Sequence, residues 1–315
     1  MAVVGVVAVT ATGVAAWQLG PRVGLWVVPP SPARYGQDAV RQMEAGLYAR
    51  GPAWDEARAS ALTALEQVTS FAEADDVLRA AVVVAGGHHS TVLPPGAAGG
   101  GTADDLAPSV RVDGGIATAV VPAFTGGTAA GDAYAETIAA GLAGSGACGV
   151  VVDLRGNGGG DMGPMVAGLA PLLPEGVTGS FVVGDRVTDL RVDDGRFTGG
   201  GTPTRTQSGA TALDVPVAVL TDGGTGSSGE QVLLAFRGLD DTRTFGEPTA
   251  GYASVNRSTT LYSGSTLVLT VGQTRARTGE LFGDEPIPPD EAVPAVDAPA
   301  RAAQWLAGLG CGTPA

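Results

Sequence analysis

Residues 215–236 read VPVAVLTDGGTGSSGEQVLLAF: an apolar strand pattern, a glycine-rich turn and an apolar helix pattern in succession. The turn delivers Ser227 and Ser228 to the start of the helix. Unpaired backbone N–H groups and the positive end of the helix dipole stabilise negative charge on a nearby oxygen there. Three readings of this turn stand side by side. Ser227 and Glu230 match the S-x-x-E pattern of a capping box, in which each side chain satisfies the other's backbone donor. Gly224, Gly226 and Gly229 have the G-x-G-x-x-G spacing of a dinucleotide turn, with Glu247 near the offset of a ribose-binding acid. The third reading makes Ser227 a nucleophile and requires a base elsewhere in the chain.

Working outward, the same alternation of strand, turn and helix recurs from residue 110 onward. The strand patterns GIATAVVPAF, GVVVDLRG, GSFVV and VPVAVLT alternate with the helix patterns AGDAYAETIAAGLA, DMGPMVAGLAPLL and EQVLLAF. Unbroken apolar strands between helices predict an α/β fold with a largely parallel sheet covered on both faces, and ligands at the carboxyl ends of its strands. The stretch between GSFVV and VPVAVLT reads as a polar excursion, DTRTFGE as another strand, and RSTTLYSGSTLVLTVG as a hairpin around Gly264.

Toward the N-terminus, residues 35–85 carry three helical patterns, the last opened by Ser70 with Glu73 three residues later as a capping box. Residues 91–109 read as a surface connection too short to hold another domain. In the first 17 residues only Thr10 and Thr12 are polar, which predicts an export signal or membrane anchor and an extracytoplasmic location. The expected organisation is therefore an apolar segment at 1–30, a helical cap at 31–85 and a core at 86–315.

Composition narrows the chemistry. Of the 315 residues 44% are hydrophobic, enough for a sizeable core. The formal net charge of −14 argues against nucleic acid or an anionic membrane surface as the main partner, since both require a basic footprint. All 18 basic residues are arginine, so a serine–lysine dyad, a Schiff-base lysine and a phosphate-loop lysine are excluded. His88 and His89 are the two histidines of the chain, and any imidazole chemistry passes through them. Cys148 and Cys311 lack metal-binding spacing; no metal or cofactor is expected, and whether the two pair is open. The acidic pairs Asp75–Asp76 and Asp193–Asp194 read as solvated faces.

Two further stretches belong with the serine turn. Asn157-Gly158-Gly159-Gly160 follows the strand GVVVDLRG just before a helix, on the same rim of the sheet as Ser227. It reads either as a flexible turn or as a place where side-chain-free backbone N–H groups approach a reacting oxygen. His88 and His89 lie in a Gly-Gly-His-His-Ser turn, where an extended backbone directs one of them toward a cleft.

GGHHS, VVVDLRGNGGG, TGSSGE, GEPTAGY and PIPPDEAV occur in an order that resembles the C-terminal processing (tail-specific) serine peptidases, and the FGEPTAGY form looks most like the nisin-resistance-protein branch. The resemblance spans residues 86–293 and implies a crotonase-like core of spiral ββα units. It places the nucleophile at Ser227 and the base at His89, which precedes Ser90. It places the oxyanion donors at the backbone N–H groups of Ser228 and of a glycine among Gly158–Gly160, with Gly159 preferred. Many members carry a lysine where this chain has Tyr252, which leaves the serine–histidine version. The short loop after Ser90 leaves no room for a PDZ domain. Glu230 is the first candidate for orienting His89, with Asp284 and Glu285 behind it. The expected activity is cleavage of an extended peptide or protein substrate near its C-terminus. The alternatives are a catalytically inactive peptide- or lipid-binding relative and a dinucleotide site, which leaves GGHHS and DLRGNGGG without a role.

Overall fold

The computed structural model describes residues 29–97 and 107–312. The expected apolar segment at 1–30 lies, except for Pro29 and Pro30, outside the described residues. Among those described, no helix is long and apolar enough to cross a membrane. The described residues divide into two compact units, one of residues 29–97 and 256–272, the other of residues 107–255 and 273–312.

In the first unit the three expected helices form as Pro32–Met43, Pro52–Leu65 and Phe71–Gly86. Ser31 caps the first, its hydroxyl accepting the Arg34 N–H at 3.2 Å with Pro32 following, and Ser70 caps the third by accepting the Glu73 N–H at 3.2 Å. Their apolar faces, including Tyr35, Met43, Leu65, Leu78 and Val82, close on Leu261, Leu267 and Leu269 of the hairpin. The helices thus complete their core with residues 256–272, which the sequence alone had assigned to a core of 86–315. Thr91–Leu93, read as loop, is a strand antiparallel to the beginning of Thr266–Ala276, with Thr91 opposite Val268. Asp75 is 4% exposed rather than solvated. It accepts hydrogen bonds from the Tyr35 hydroxyl and, at 2.5 Å, from Ser265. Asp76, Asp193 and Asp194 are exposed and pair with Arg79, Arg191 and Arg205.

The second unit is built on a six-stranded sheet in the order Glu291–Ala292, Thr242–Gly246, Val217–Thr221, Gly149–Asp153, Ile116–Val120 and Ser109–Asp113, parallel except for the last strand. Both faces are covered because each central strand is apolar on both sides. Val150, Val152, Val217 and Val219 pack under Thr128–Ala143, Met162–Gly168 and Ser228–Phe236. Val151, Ala218, Leu220 and Phe245 pack on Ala298, Ala302 and Leu306 of the last helix. Each buried Val, Leu or Phe among them contributes roughly 1.5–3 kcal/mol on full burial.

The supposed polar excursion is a meander. Gly176–Val183, Arg186–Asp193, Arg196–Thr198 and Thr204–Arg205 run antiparallel, and the meander buries Leu190, Val192 and Phe197 while turning charged residues outward. Its charge hid a period-two pattern. Cys148, just before a central strand, forms a disulfide with Cys311, beyond the last helix.

Candidate active site

The strands Gly149–Asp153 and Val217–Thr221 are parallel neighbours, so the turns leaving their carboxyl ends meet on one rim. Asp222 ties the two turns together: its Oδ1 accepts the Gly156 N–H and the Gly224 N–H, both at 2.9 Å. The Gly226 N–H reaches the Asn157 carbonyl at 2.9 Å.

Ser227 sits on this rim, half-buried, with φ 50 and ψ −117. An ordinary N-cap serine has extended backbone. A non-glycine residue held at positive φ costs about 1–3 kcal/mol and persists where its surroundings over-determine it. Glu230 supplies most of that constraint. Its carboxylate, 0% exposed, accepts the Ser227 N–H at 2.9 Å, the Thr249 hydroxyl at 2.5 Å, the Gly251 N–H at 3.0 Å and the Tyr252 N–H at 2.7 Å. Four donors fill the acceptor sites of a carboxylate. Burial pushes the Glu230 carboxyl above its ordinary range, and the Thr249 hydroxyl with the three N–H groups pulls it back. Glu230 therefore clamps the serine turn to residues 249–252.

The glycine turn lies against the serine turn. Gly159 has φ 109, and a Cβ there would stand 2.9 Å from both Ser227 Cβ and Ser228 N. Only a glycine permits this approach. Among the described residues no group accepts the Ser228 N–H. The Gly159 N–H donates to Asn157 Oδ1 at 2.9 Å, so the preferred glycine donor already has one acceptor. The Ser228 hydroxyl donates to the Gly160 carbonyl at 2.6 Å.

The histidine turn belongs to the first unit. Gly87 ends the helix Phe71–Gly86 at φ 81, a conformation suited to glycine, and its N–H closes on Val83 O at 2.8 Å. His88 is exposed and His89 half-buried. Asn256 donates to the His89 carbonyl at 3.4 Å and accepts from the Thr270 hydroxyl at 2.7 Å, and the Thr270 N–H reaches Ser90 Oγ at 2.9 Å. Burial, reinforced by the neighbouring His88, pushes the His89 imidazole down to about 4, so it is neutral at pH 7.

The structure thus brings Ser227, Ser228, Glu230 and Gly159 together on one rim of the second unit, and His89 lies on a braced turn of the first. Tyr252 flanks the serine turn: a Cβ on Gly226 would stand 3.3 Å from its ring. Asp284 lies beside the turn clamped by Glu230, its carbonyl 3.0 Å from where a Cβ on Gly251 would stand, and Glu285 is exposed. Sequence reasoning gave no role to Asn157 or Thr249, although both lie inside the stretches it singled out.

No group of three or more metal-ligating side chains is assembled among the described residues. The Gly224-x-Gly226 turn is filled by protein: its N–H groups go to Asp222 and Asn157, and a Cβ on Gly229 would stand 2.4 Å from the Asn157 carbonyl. A pyrophosphate has no place there.

The α/β core thus carries a serine at positive φ at a helix start with a glycine turn against it. A model of peptidase family S41 matches residues 115–293, and the chain belongs to that family. It is 33% identical to the nisin-resistance protein of Lactococcus lactis subsp. lactis over 290 residues, 91% of each chain. The structure of a lipoprotein from Streptococcus agalactiae is similar, with 27% identity, coverage of 90% of this chain and 99% of that one, and a TM-score of 0.79. The photosystem II D1 C-terminal processing protease shares the fold at 15% identity, covering 87% of this chain and 97% of that one, with a TM-score of 0.57.

Proposed function

We propose that this chain is an extracytoplasmic serine endopeptidase that cuts an extended peptide near its C-terminus, with Ser227 as nucleophile and His89 as base. The observation that carries the reading is the backbone of Ser227, held at positive φ beside Gly159 by a buried carboxylate that joins it to residues 249–252. Strain of that kind has no use in a plain helix cap. In the proposed reaction a neutral His89 takes the Ser227 proton as Oγ attacks the peptide carbonyl, then returns it to the leaving amine. The Ser228 N–H and the Gly159 N–H face the oxyanion, each donor being worth on the order of 10²–10³ in rate. Water then releases the acyl group by the same path.

The domain reading goes with it: a crotonase-like core without a PDZ domain, and a helical cap that carries the base. The disulfide supports an oxidising compartment. The nisin-resistance relative makes nisin the first peptide to test.

The test is fluorophosphonate labelling and peptide cleavage by wild type and Ser227→Ala. Labelling and cleavage in wild type, both lost in a folded Ser227→Ala, is the expected result. Full cleavage by Ser227→Ala would end the proposal. A folded wild type that takes no label and cuts no peptide would favour the non-catalytic binding relative.

A further inference from the structure

Three consecutive glycines, Gly158–Gly160, give the turn beside Ser227 unusual backbone freedom in an unfolded or loosely held chain. Four hydrogen bonds restrain their N–H and carbonyl groups. Two are main-chain bonds: the Gly158 N–H to the Gly156 carbonyl at 3.0 Å, and the Phe124 N–H to the Gly159 carbonyl at 3.1 Å. The other two come from side chains. Asn157 Oδ1 accepts the Gly159 N–H at 2.9 Å, and the Ser228 hydroxyl donates to the Gly160 carbonyl at 2.6 Å.

Asn157 is anchored in turn. It is 0% exposed, its Nδ2 donates to the Val121 carbonyl at 2.7 Å, and its own carbonyl receives the Gly226 N–H from the serine turn at 2.9 Å. Ser228 works from the opposite side. Its N–H has no acceptor among the described residues, while its hydroxyl grips the facing turn. One residue therefore offers a donor to the rim and fixes how far that donor stands from the glycines.

We propose that Asn157 and the Ser228 side chain are positioning residues that set the oxyanion pocket, acting through Gly159 and through the spacing of the two turns without touching substrate. The inference rests on the reading of Ser227 as nucleophile. By accepting the Gly159 N–H at 2.9 Å, Asn157 fixes where the glycine turn stands beside Ser227, so an oxyanion there meets a turn already held in place. Misplacement of about 1 Å at such a centre is enough to cost on the order of 10²-fold in rate. Loss of either side chain should therefore appear in the chemical step while peptide affinity is kept.

The experiment measures fluorophosphonate inactivation of the full chain, separating the maximal rate from the half-saturating concentration, together with kcat and KM on a quenched peptide that wild type cleaves. In the covalent step Ser227 Oγ forms a bond to phosphorus, fluoride leaves with the P–F pair, and the hydroxyl proton passes to the base. The expected result for Ser228→Ala, with melting close to wild type, is a roughly tenfold fall in maximal inactivation rate and in kcat, with half-saturation and KM within about twofold. Ser228→Thr, which keeps the hydroxyl, should recover most of the loss. Asn157→Asp, which keeps Oδ1 but adds negative charge beside the oxyanion, should lower both maximal rates still further. A folded Ser228→Ala with unchanged maximal rates, or a loss confined to KM, overturns the inference. If Ser228→Ala does not fold, an Asn157→Asp protein with wild-type rates overturns it equally. Wild type that takes no label removes the nucleophile reading and the inference with it, whereas labelled wild type beside an unaffected Ser228→Ala removes the inference alone.

Discussion

Four donors converge on the single buried carboxylate of Glu230, and three of them are backbone N–H groups. Replacing one oxygen by an amide NH₂ sets a donor against donors where an acceptor had been, and each buried polar group left unsatisfied costs about 1–3 kcal/mol. Glu230→Gln is therefore expected to lower unfolding stability by about 2 kcal/mol in urea titration and to slow labelling at Ser227; unchanged values in both would remove the clamp role. His89 makes a pH prediction of definite sign. Its imidazole is pushed down to about 4, so the neutral base persists where an ordinary histidine would be protonated. Inactivation by fluorophosphonate should hold level on acidification and fall only near pH 4, and a midpoint near the ordinary value of 6.5 would contradict the burial of the ring. The same shift makes folding stability from this group full above about pH 6.5 and progressively lost as pH falls toward 4, because the unfolded chain takes up the proton first.

At the scale of the elements, the two rim turns differ in what each glycine is for. Gly158 lies outside the positive-φ residues, and a Cβ there would meet nothing nearer than the Gly224 carbonyl at 4.0 Å. Gly159 would press on Ser227 and Ser228 at 2.9 Å, and Gly160, at φ 107, would strike the Phe124 carbonyl at 2.0 Å. Gly158→Ala should therefore stay within about 1 kcal/mol of wild type and keep its labelling rate. Gly159→Ala should fold with its turns pushed apart and lose labelling by 10-fold or more, an effect on the order of one missing oxyanion donor. Equal behaviour of the two variants would mean that close approach of the turns does not matter. Motif spacing showed that this run needs glycine somewhere; it did not show which position carries the contact, since the crowding atoms lie on Phe124 and on the serine turn.

Over the whole molecule, the Cys148–Cys311 disulfide joins residues 163 apart, tying the start of a central strand to the end of the chain's last helix. A cross-link closing so long a loop restricts the unfolded chain and typically contributes about 2–4 kcal/mol. The double variant Cys148→Ser, Cys311→Ser should lose that much in denaturant titration, and a loss below about 0.5 kcal/mol would show the link to be dispensable. Net charge tells little about this energy. Cysteine count alone left the pairing open, because it depends on where the last helix docks on the sheet.

The alternation of strands and helices from residue 110 onward settled the parallel core by itself, because strands apolar on both faces fold only where both faces are covered. The serine, glycine and histidine turns were legible as well, since each breaks that pattern with residues whose chemistry stands out. Three features were decided by the tertiary structure alone. The hairpin at 256–272 joins the N-terminal helices because their apolar faces close on Leu261, Leu267 and Leu269. Glu230 clamps the serine turn because donors from residues 249–252 fold back over it. Asn157 passes from a loop residue to the anchor of the rim because it is buried between Val121 and the glycines. In each case the deciding partner is remote in sequence, and no local pattern carries its position.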